Sequence, residues 1–209
     1  RPDSVDRAAP SGTTGIPQPA CLTPPYWQEA CTHLARRDRV MQKLIAQYES
    51  ASLQSRGDAF VTLARSIVGQ QISVKAAQSV WDRFAALAPA MEPQSVLKLP
   101  PATMRAVGLS MRKIEYLHDL AQHFIHNHLQ FANWQEMDDE AVIAALTAIR
   151  GIGRWTAEMF MIFHLMRPNV LPLDDVGLMK GISQNYFSGE PVSRHEIREI
   201  ARDWQPYCS

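Results

Sequence analysis

Gly151-Ile152-Gly153 interrupts the run LTAIRGIGRWTAEMFMIFHL, residues 146–165. Consecutive backbone N–H groups in a Gly-x-Gly turn at a helix N-terminus point outward, with the positive end of the helix dipole behind them. An anion such as a phosphate fits that arrangement. The same spacing also serves a plain tight turn between two helices. Further on, Asp174 and Asp175 follow Pro172 and precede Val176, Leu178 and Met179. Either aspartate can cap a helix start. A carboxylate so placed is held ionised by the dipole, which suits it to stabilising positive charge. His118, His123, His126 and His128 lie close in sequence, but only His123 and His126 share a helix face. No cysteine or carboxylate constellation completes a zinc site with them, so they read as solvated helix histidines.

These residues need helices to hold them. Ala141, Val142, Ala145, Leu146 and Ile149 recur at helical spacing before the glycines, and Trp155, Met159, Phe160 and Phe163 do so after them. The spacing predicts a helical hairpin over about 141–165, with Trp155 in the first turn of its second helix. Upstream, Trp27, Ala30, Cys31 and Leu34 make one stripe, and Val40, Met41, Leu44, Ile45 and Tyr48 the next. Asp58 is placed to cap a helix carrying Phe60, Leu63, Ala64, Ile67 and Val68. GQQIS, residues 69–73, interrupts it before Val74, Ala77, Val80, Trp81 and Phe84 resume, with Ser73 a candidate N-cap. Pro100 and Pro101 open a short helix ending near Gly108, and Ile114, Leu117, Leu120, Ala121 and Phe124 form another stripe. No stretch alternates like a strand. The expectation is an all-α chain of about eight to ten short helices.

Composition sets the outer bounds. Of 209 residues, 46% are hydrophobic and 20% charged, an ordinary globular balance large enough for a real core. The formal net charge is zero, which argues against broad phosphate binding but leaves room for a local basic face. Cys21, Cys31 and Cys208 form no CxxC pair and read as reduced, intracellular thiols. No apolar run approaches membrane-spanning length, so no membrane partner is expected. Residues 1–25, rich in proline, glycine and Ser or Thr, read as an irregular tail before a domain over 26–209. The chain opens on Arg1, which reads as a fragment of a longer product.

From Tyr26 to Ser209 the chain resembles the helix-hairpin-helix base-excision DNA glycosylases, and GIGRWTA is similar to their 3-methyladenine DNA glycosylase II branch. The resemblance rests on FVTLARSIVGQQIS (60–73), VGLSMRKIEYLHDLA (107–121), the hairpin, and VLPLDDVGLMKG (170–181), in the family's order. It implies two helical lobes flanking a base-accepting cleft, with the hairpin gripping a backbone phosphate of damaged double-stranded DNA. Gly151, Gly153, Arg154 and Thr156 would face that DNA. An alkali cation, Na+ or K+, would sit on the backbone carbonyls of Thr147, Ile149 and Ile152. Asp175 matches the family's catalytic aspartate, and Asp174 is left as the helix cap or a bystander. Gln71 matches the wedge that fills the gap left by a flipped base, with Gln70 and Ile72 beside it. Ser110, together with Gly108, Arg112 and Lys113, offers a further phosphate contact or a solvated turn, although Lys113 reads better on a helix face.

Trp155 occupies the position where backbone-cutting relatives carry a lysine that forms a Schiff base. The resemblance therefore implies a monofunctional glycosylase that uses water. An indole is either core or, as the family places it, a pocket wall whose π-face favours cationic alkylated purines of the 3-methyladenine and 7-methylguanine type. Met159 replaces a second aromatic of the best-known branch, and a terminal helix bearing another would follow Ser209. A wider, less selective or incomplete pocket is implied. Iron–sulfur members end in four spaced cysteines, and only Cys208 lies there, so no cluster is expected. The resemblance further implies a monomer in base excision repair, in the cytoplasm or nucleoid of a bacterium or the nucleus of a eukaryote. Two rival functions remain. A non-catalytic helix-hairpin-helix DNA-binding module would share the glycines without needing Asp175, and a glycosylase for other damaged bases would differ at Trp155.

Overall fold

The computed structural model describes residues 23–127 and 133–209. Most of the expected tail, together with Cys21 and His128, lies outside them. Among the described residues eleven α-helices and one 3-10 turn follow one another, with no strand. They are α1 (Trp27–Arg37), α2 (Arg39–Gln47), α3 (Ala59–Val68), α4 (Val74–Ala85), α5 (Pro93–Leu97), α6 (Pro101–Ala106), α7 (Met111–His126), the 3-10 turn Trp134–Glu136, α8 (Asp139–Thr147), α9 (Arg154–Phe163), α10 (Val176–Tyr186) and α11 (Arg194–Ala201). The all-α expectation holds, with one helix more than the range foreseen. Proline at the first helical position starts α5, which is too short to display a period.

Caps set most of these starts. Asp58, Ser73 and Ser110 each accept a backbone N–H from the first turn of α3, α4 and α7. At the far end of α3, Gly69 closes the helix by donating to the Arg65 carbonyl. Two apolar cores result. The larger is built from α3 to α9, around Leu63, Ile67, Phe84, Leu117, Leu120, Leu146 and Met161. In the second, Ile182, Ile197, Ala201 and Trp204 meet Leu34 and Met41, so α10 and α11 close on the first two helices. The two lobes expected from the resemblance are these two cores. No described helix is long and apolar enough to cross a membrane.

The second core has a polar pin. Asp38 caps α2 through Val40 and Met41 N–H (2.8 and 3.1 Å) and accepts from Tyr186 Oη (2.5 Å) and Trp204 Nε1 (2.9 Å). Burial pushes this carboxyl's pKa up, but the four donors outweigh it and hold it below the ordinary carboxylate value. A depressed folded-state pKa means that the stabilisation is present above about 4 and is lost as pH falls through the lower folded value. Asp38→Asn should therefore melt well below the parent at pH 7. The gap should narrow as pH falls below about 4 and the parent's own carboxyl takes up its proton; thermal unfolding at pH 7 and across an acid series checks this.

Candidate active site

Helices α8 and α9 pack against one another as the expected hairpin. α8 ends at Thr147, so Ile149 is not on its stripe but is buried in the turn (1% exposed). Gly151 takes φ +89°, and a Cβ there would lie 2.3 Å from the Tyr116 ring of α7. Glycine is required twice, for the left-handed backbone and for the ring beneath it. Gly153 differs. Its φ is −92°, a Cβ would meet open space, and it caps α9 with no side-chain acceptor. No side chain caps the amides at the start of α9, on an exposed end, as an anion site needs. The turn is braced from α7, where Asp119 Oδ2 accepts Arg150 N–H at 2.8 Å.

Several residues expected at the DNA face have partners inside the protein. The Arg154 guanidinium forks onto Glu140 (2.7 and 3.3 Å) and lies 3.9 Å from Glu158. Its outward role would require this exposed pair to open. Glu158 is 4% exposed, the one charged residue so buried among those described. Burial raises its pKa, Arg154 opposes that, and Asp174 and Glu140 add to it. Ser110 caps α7, and Lys113 Nζ donates to the Val68 carbonyl at 2.7 Å, closing the end of α3. Lys113 lies on the helix, as expected, and is not free for phosphate, while Arg112 stays exposed.

Asp175 is itself the cap of α10, a role the sequence reading leaned toward giving Asp174. Its Oδ1 accepts Leu178 N–H at 2.7 Å, while its Oδ2 accepts Trp155 Nε1–H at 2.9 Å. Asp174 turns instead to Arg194, in an exposed ion pair. The chain makes Asp175 the cap because Leu178 lies three residues on, as N-cap geometry requires. Trp155 is 45% exposed and so is not core. Its indole joins the larger lobe to the start of the second, with an aromatic face left open. Gly177 belongs to the site too, since a Cβ there would press to 3.1 Å from Asp175 Oδ1. The glycine two residues after a capping aspartate was the available signal for it.

Trp155 also lines a cleft of about 710 Å³ whose other wall is the 69–73 loop with Arg65 and Trp81. In that loop Gln71 is exposed at φ +58°, and Ile72 is 40% exposed. Gln70 does not cap a helix; its Nε2 donates to the Gly151 carbonyl at 2.8 Å. Beside Met159 and Thr156 lies a second cavity of only about 40 Å³, bordered by Arg56 and Phe163. A water molecule's share of liquid is about 30 Å³, so this space holds no purine. Met159 packs, partly buried, against the larger core and does not line the cleft at Trp155. His123 and His126 each bond a carbonyl one turn back (2.9 and 2.8 Å). Among the described residues no three His, Cys, Asp or Glu gather as metal ligands.

Comparison with known proteins gives the arrangement its relatives. DNA-3-methyladenine glycosylase 1 of Schizosaccharomyces pombe is 33% identical over 143 residues, 66% of this chain. The chain spans 63% of that relative's length. Among solved structures, the DNA-3-methyladenine glycosidase of Bacillus halodurans is 35% identical at a TM-score of 0.76, covering 86% of this chain and 83% of its own. The S. pombe 3-methyladenine DNA glycosylase Mag1, solved in complex with abasic DNA, is 26% identical at 0.72, covering 86% and 90%. Residues 64–206, from α3 to the end of the second core, match the model of the HhH-GPD superfamily. With its glycine hairpin, its capping aspartate and that match, the chain belongs to the HhH-GPD superfamily of base excision DNA repair proteins.

Proposed function

We propose that this chain is a monofunctional DNA glycosylase, which hydrolyses the N-glycosidic bond of alkylated purines in damaged double-stranded DNA. The observation that carries this reading is the Asp175 carboxylate, fixed by Leu178 N–H and by the Nε1–H of Trp155, whose indole lines the cleft. When the glycosidic bond breaks, its electron pair leaves with the base and the sugar becomes an oxocarbenium-like cation. An alkylated, cationic purine departs neutral and needs no added proton. Asp175 opposes the sugar's charge and orients the water that bonds to the anomeric carbon, taking its proton. A donor on each oxygen keeps the carboxylate from swinging away as the cation forms.

The same reading gives the other residues their work. Amides at the open start of α9 meet a phosphate, Gln71 enters the base stack, and the exposed Trp155 face lies against the flipped base. Cation–π attraction there favours alkylated over neutral purines. No lyase step is proposed, because the hairpin position that would need an amine holds an indole. An alkali cation on the carbonyls of Thr147, Ile149 and Ile152 is part of the proposal. The Ile149 carbonyl already accepts Ile152 N–H at 3.2 Å, and its second lone pair suits such an ion. That ion would stiffen the turn next to the phosphate. The names of the relatives, and the DNA complex of one of them, support the whole reading.

Asp175→Asn keeps a good capping side chain and removes the charge. Base release from methylated DNA should fall by about 10²–10³, the size of losing an oriented electrostatic group, while DNA binding persists. Asp174→Asn, which loses only an exposed ion pair, should stay near the parent. Parent-like excision by Asp175→Asn would sink the assignment.

Trp155→Phe retains an aromatic face but no N–H. It should lower kcat on 7-methylguanine and hypoxanthine alike, by about tenfold for one charge-assisted hydrogen bond, with little change in KM. Trp155→Leu should add a loss confined to the charged base. Single-turnover kinetics on both substrates separates the two effects.

Gly153→Ala should fold normally, since the new methyl meets open space. It should weaken binding to all DNA sequences about equally. Gly151→Ala should instead lower the melting temperature, because Tyr116 occupies the place of its methyl. Salt-dependent binding curves and thermal melts of the two variants are the check.

A further inference from the structure

Two structural features place the 69–73 loop and the hairpin on one support. Along α7, Lys113, Tyr116 and Asp119 stand three residues apart, a spacing that gathers them on one side of the helix. Lys113 Nζ holds the Val68 carbonyl at the base of the loop, the Tyr116 ring lies against Gly151, and Asp119 takes the Arg150 N–H. Above this row the loop touches the hairpin directly. Gln70 Nε2 donates to the Gly151 carbonyl across 81 positions of sequence. The next residue, Gln71, has φ +58°, a left-handed conformation that is strained for a non-glycine residue and does not arise from local preference. Strain of this kind persists only where neighbouring contacts hold it. The contacts available are Gly69 N–H on the Arg65 carbonyl, Gln70 N–H on the Ile67 carbonyl, and the Gln70 amide on the hairpin.

We propose that Gln70 is a positioning residue, a strut that sets Gln71 at a fixed offset from the phosphate-gripping turn. The inference rests on the glycosylase reading, in which Gln71 is the wedge. Once the hairpin holds a phosphate, the duplex is fixed, and the wedge must enter the stack at one place relative to it. A loop free to move would have to be ordered at the moment of base flipping. A strut orders it beforehand, so more of the interaction energy is left to hold the base out of the helix. The role is therefore felt where flipping is costly and fades where the base is already unpaired.

The test uses Gln70→Glu, nearly the same shape but with no N–H to give Gly151, and Lys113→Met, which frees the base of the loop. Each variant of the full chain is assayed on two duplexes carrying one 7-methylguanine, either paired with cytosine or set opposite an abasic gap. Gln70→Glu should lose about tenfold or more in kcat/KM on the paired lesion and about threefold or less opposite the gap, the difference being the unpairing the wedge must sustain. Lys113→Met should shift the same ratio in the same direction. Affinity for undamaged duplex and its salt slope should match the parent, because the hairpin amides are untouched. Equal losses on both duplexes, or none on either, would overturn the strut. So would a preserved ratio in Lys113→Met if Gln70→Glu failed to fold. Should the parent release no base even opposite the gap, the glycosylase reading itself fails and takes this one with it.

Discussion

The structure depends on how one carboxylate is held. Asp175 accepts an N–H from the helix it caps and another from an indole on the opposite lobe. The first bond belongs to α10, in the smaller core, and the second to α9, in the larger. Each oxygen of the carboxylate thus reports the position of a different lobe. If the lobes shift, the charge moves or loses a donor. This explains why the smaller core is pinned so firmly at Asp38, where four donors from α2, Tyr186 and the residues after α11 converge. A site at a seam between lobes is only as well placed as each lobe is rigid.

The hairpin is held by a different device. A Gly-x-Gly turn is a weak element by itself, since glycine has the most backbone freedom to lose on folding. Here α7 supplies the missing constraint with one ring beneath Gly151 and one carboxylate on Arg150 N–H. The two glycines have separate purposes. Gly151 satisfies the interior, while Gly153 keeps the start of α9 clear toward the outside.

Net neutrality acquires a local meaning. Arg154 is balanced by Glu140 and Glu158, Arg150 by Glu115, and Arg167 by Asp139. Cations around the hairpin are mostly paired, so phosphate recognition in the proposed function falls to backbone amides and a helix dipole. Such a grip is directional. It places a duplex in one register, which suits an enzyme that must bring one sugar to one carboxylate, better than a diffuse basic face would.

Local chemistry was legible in the sequence. Asp58 and Ser73 are caps because their acceptors lie within three residues of the amides they satisfy, and the helical stripes repeat within a few turns; Ser110, read as a phosphate contact or solvated turn, caps α7 in the same way. The hairpin was legible for the same reason, helped by the resemblance of four ordered motifs, whereas the cap of α10 was expected at Asp174 and belongs to Asp175. Among the described residues the helices outnumber the expected range by one, and α5 spans too few residues to show a period. What only the tertiary structure decided are the partners that spacing cannot reach. Trp155 meets Asp175 across 20 residues, Gln70 meets Gly151 across 81, and Lys113 meets Val68 across 45. A side chain's type announces that it can donate or accept, but which group it finds depends on where packing two cores brings the backbone. Hence Trp155 became a donor as well as a face, Lys113 a cap on α3, and Met159 a partly buried neighbour of the larger core.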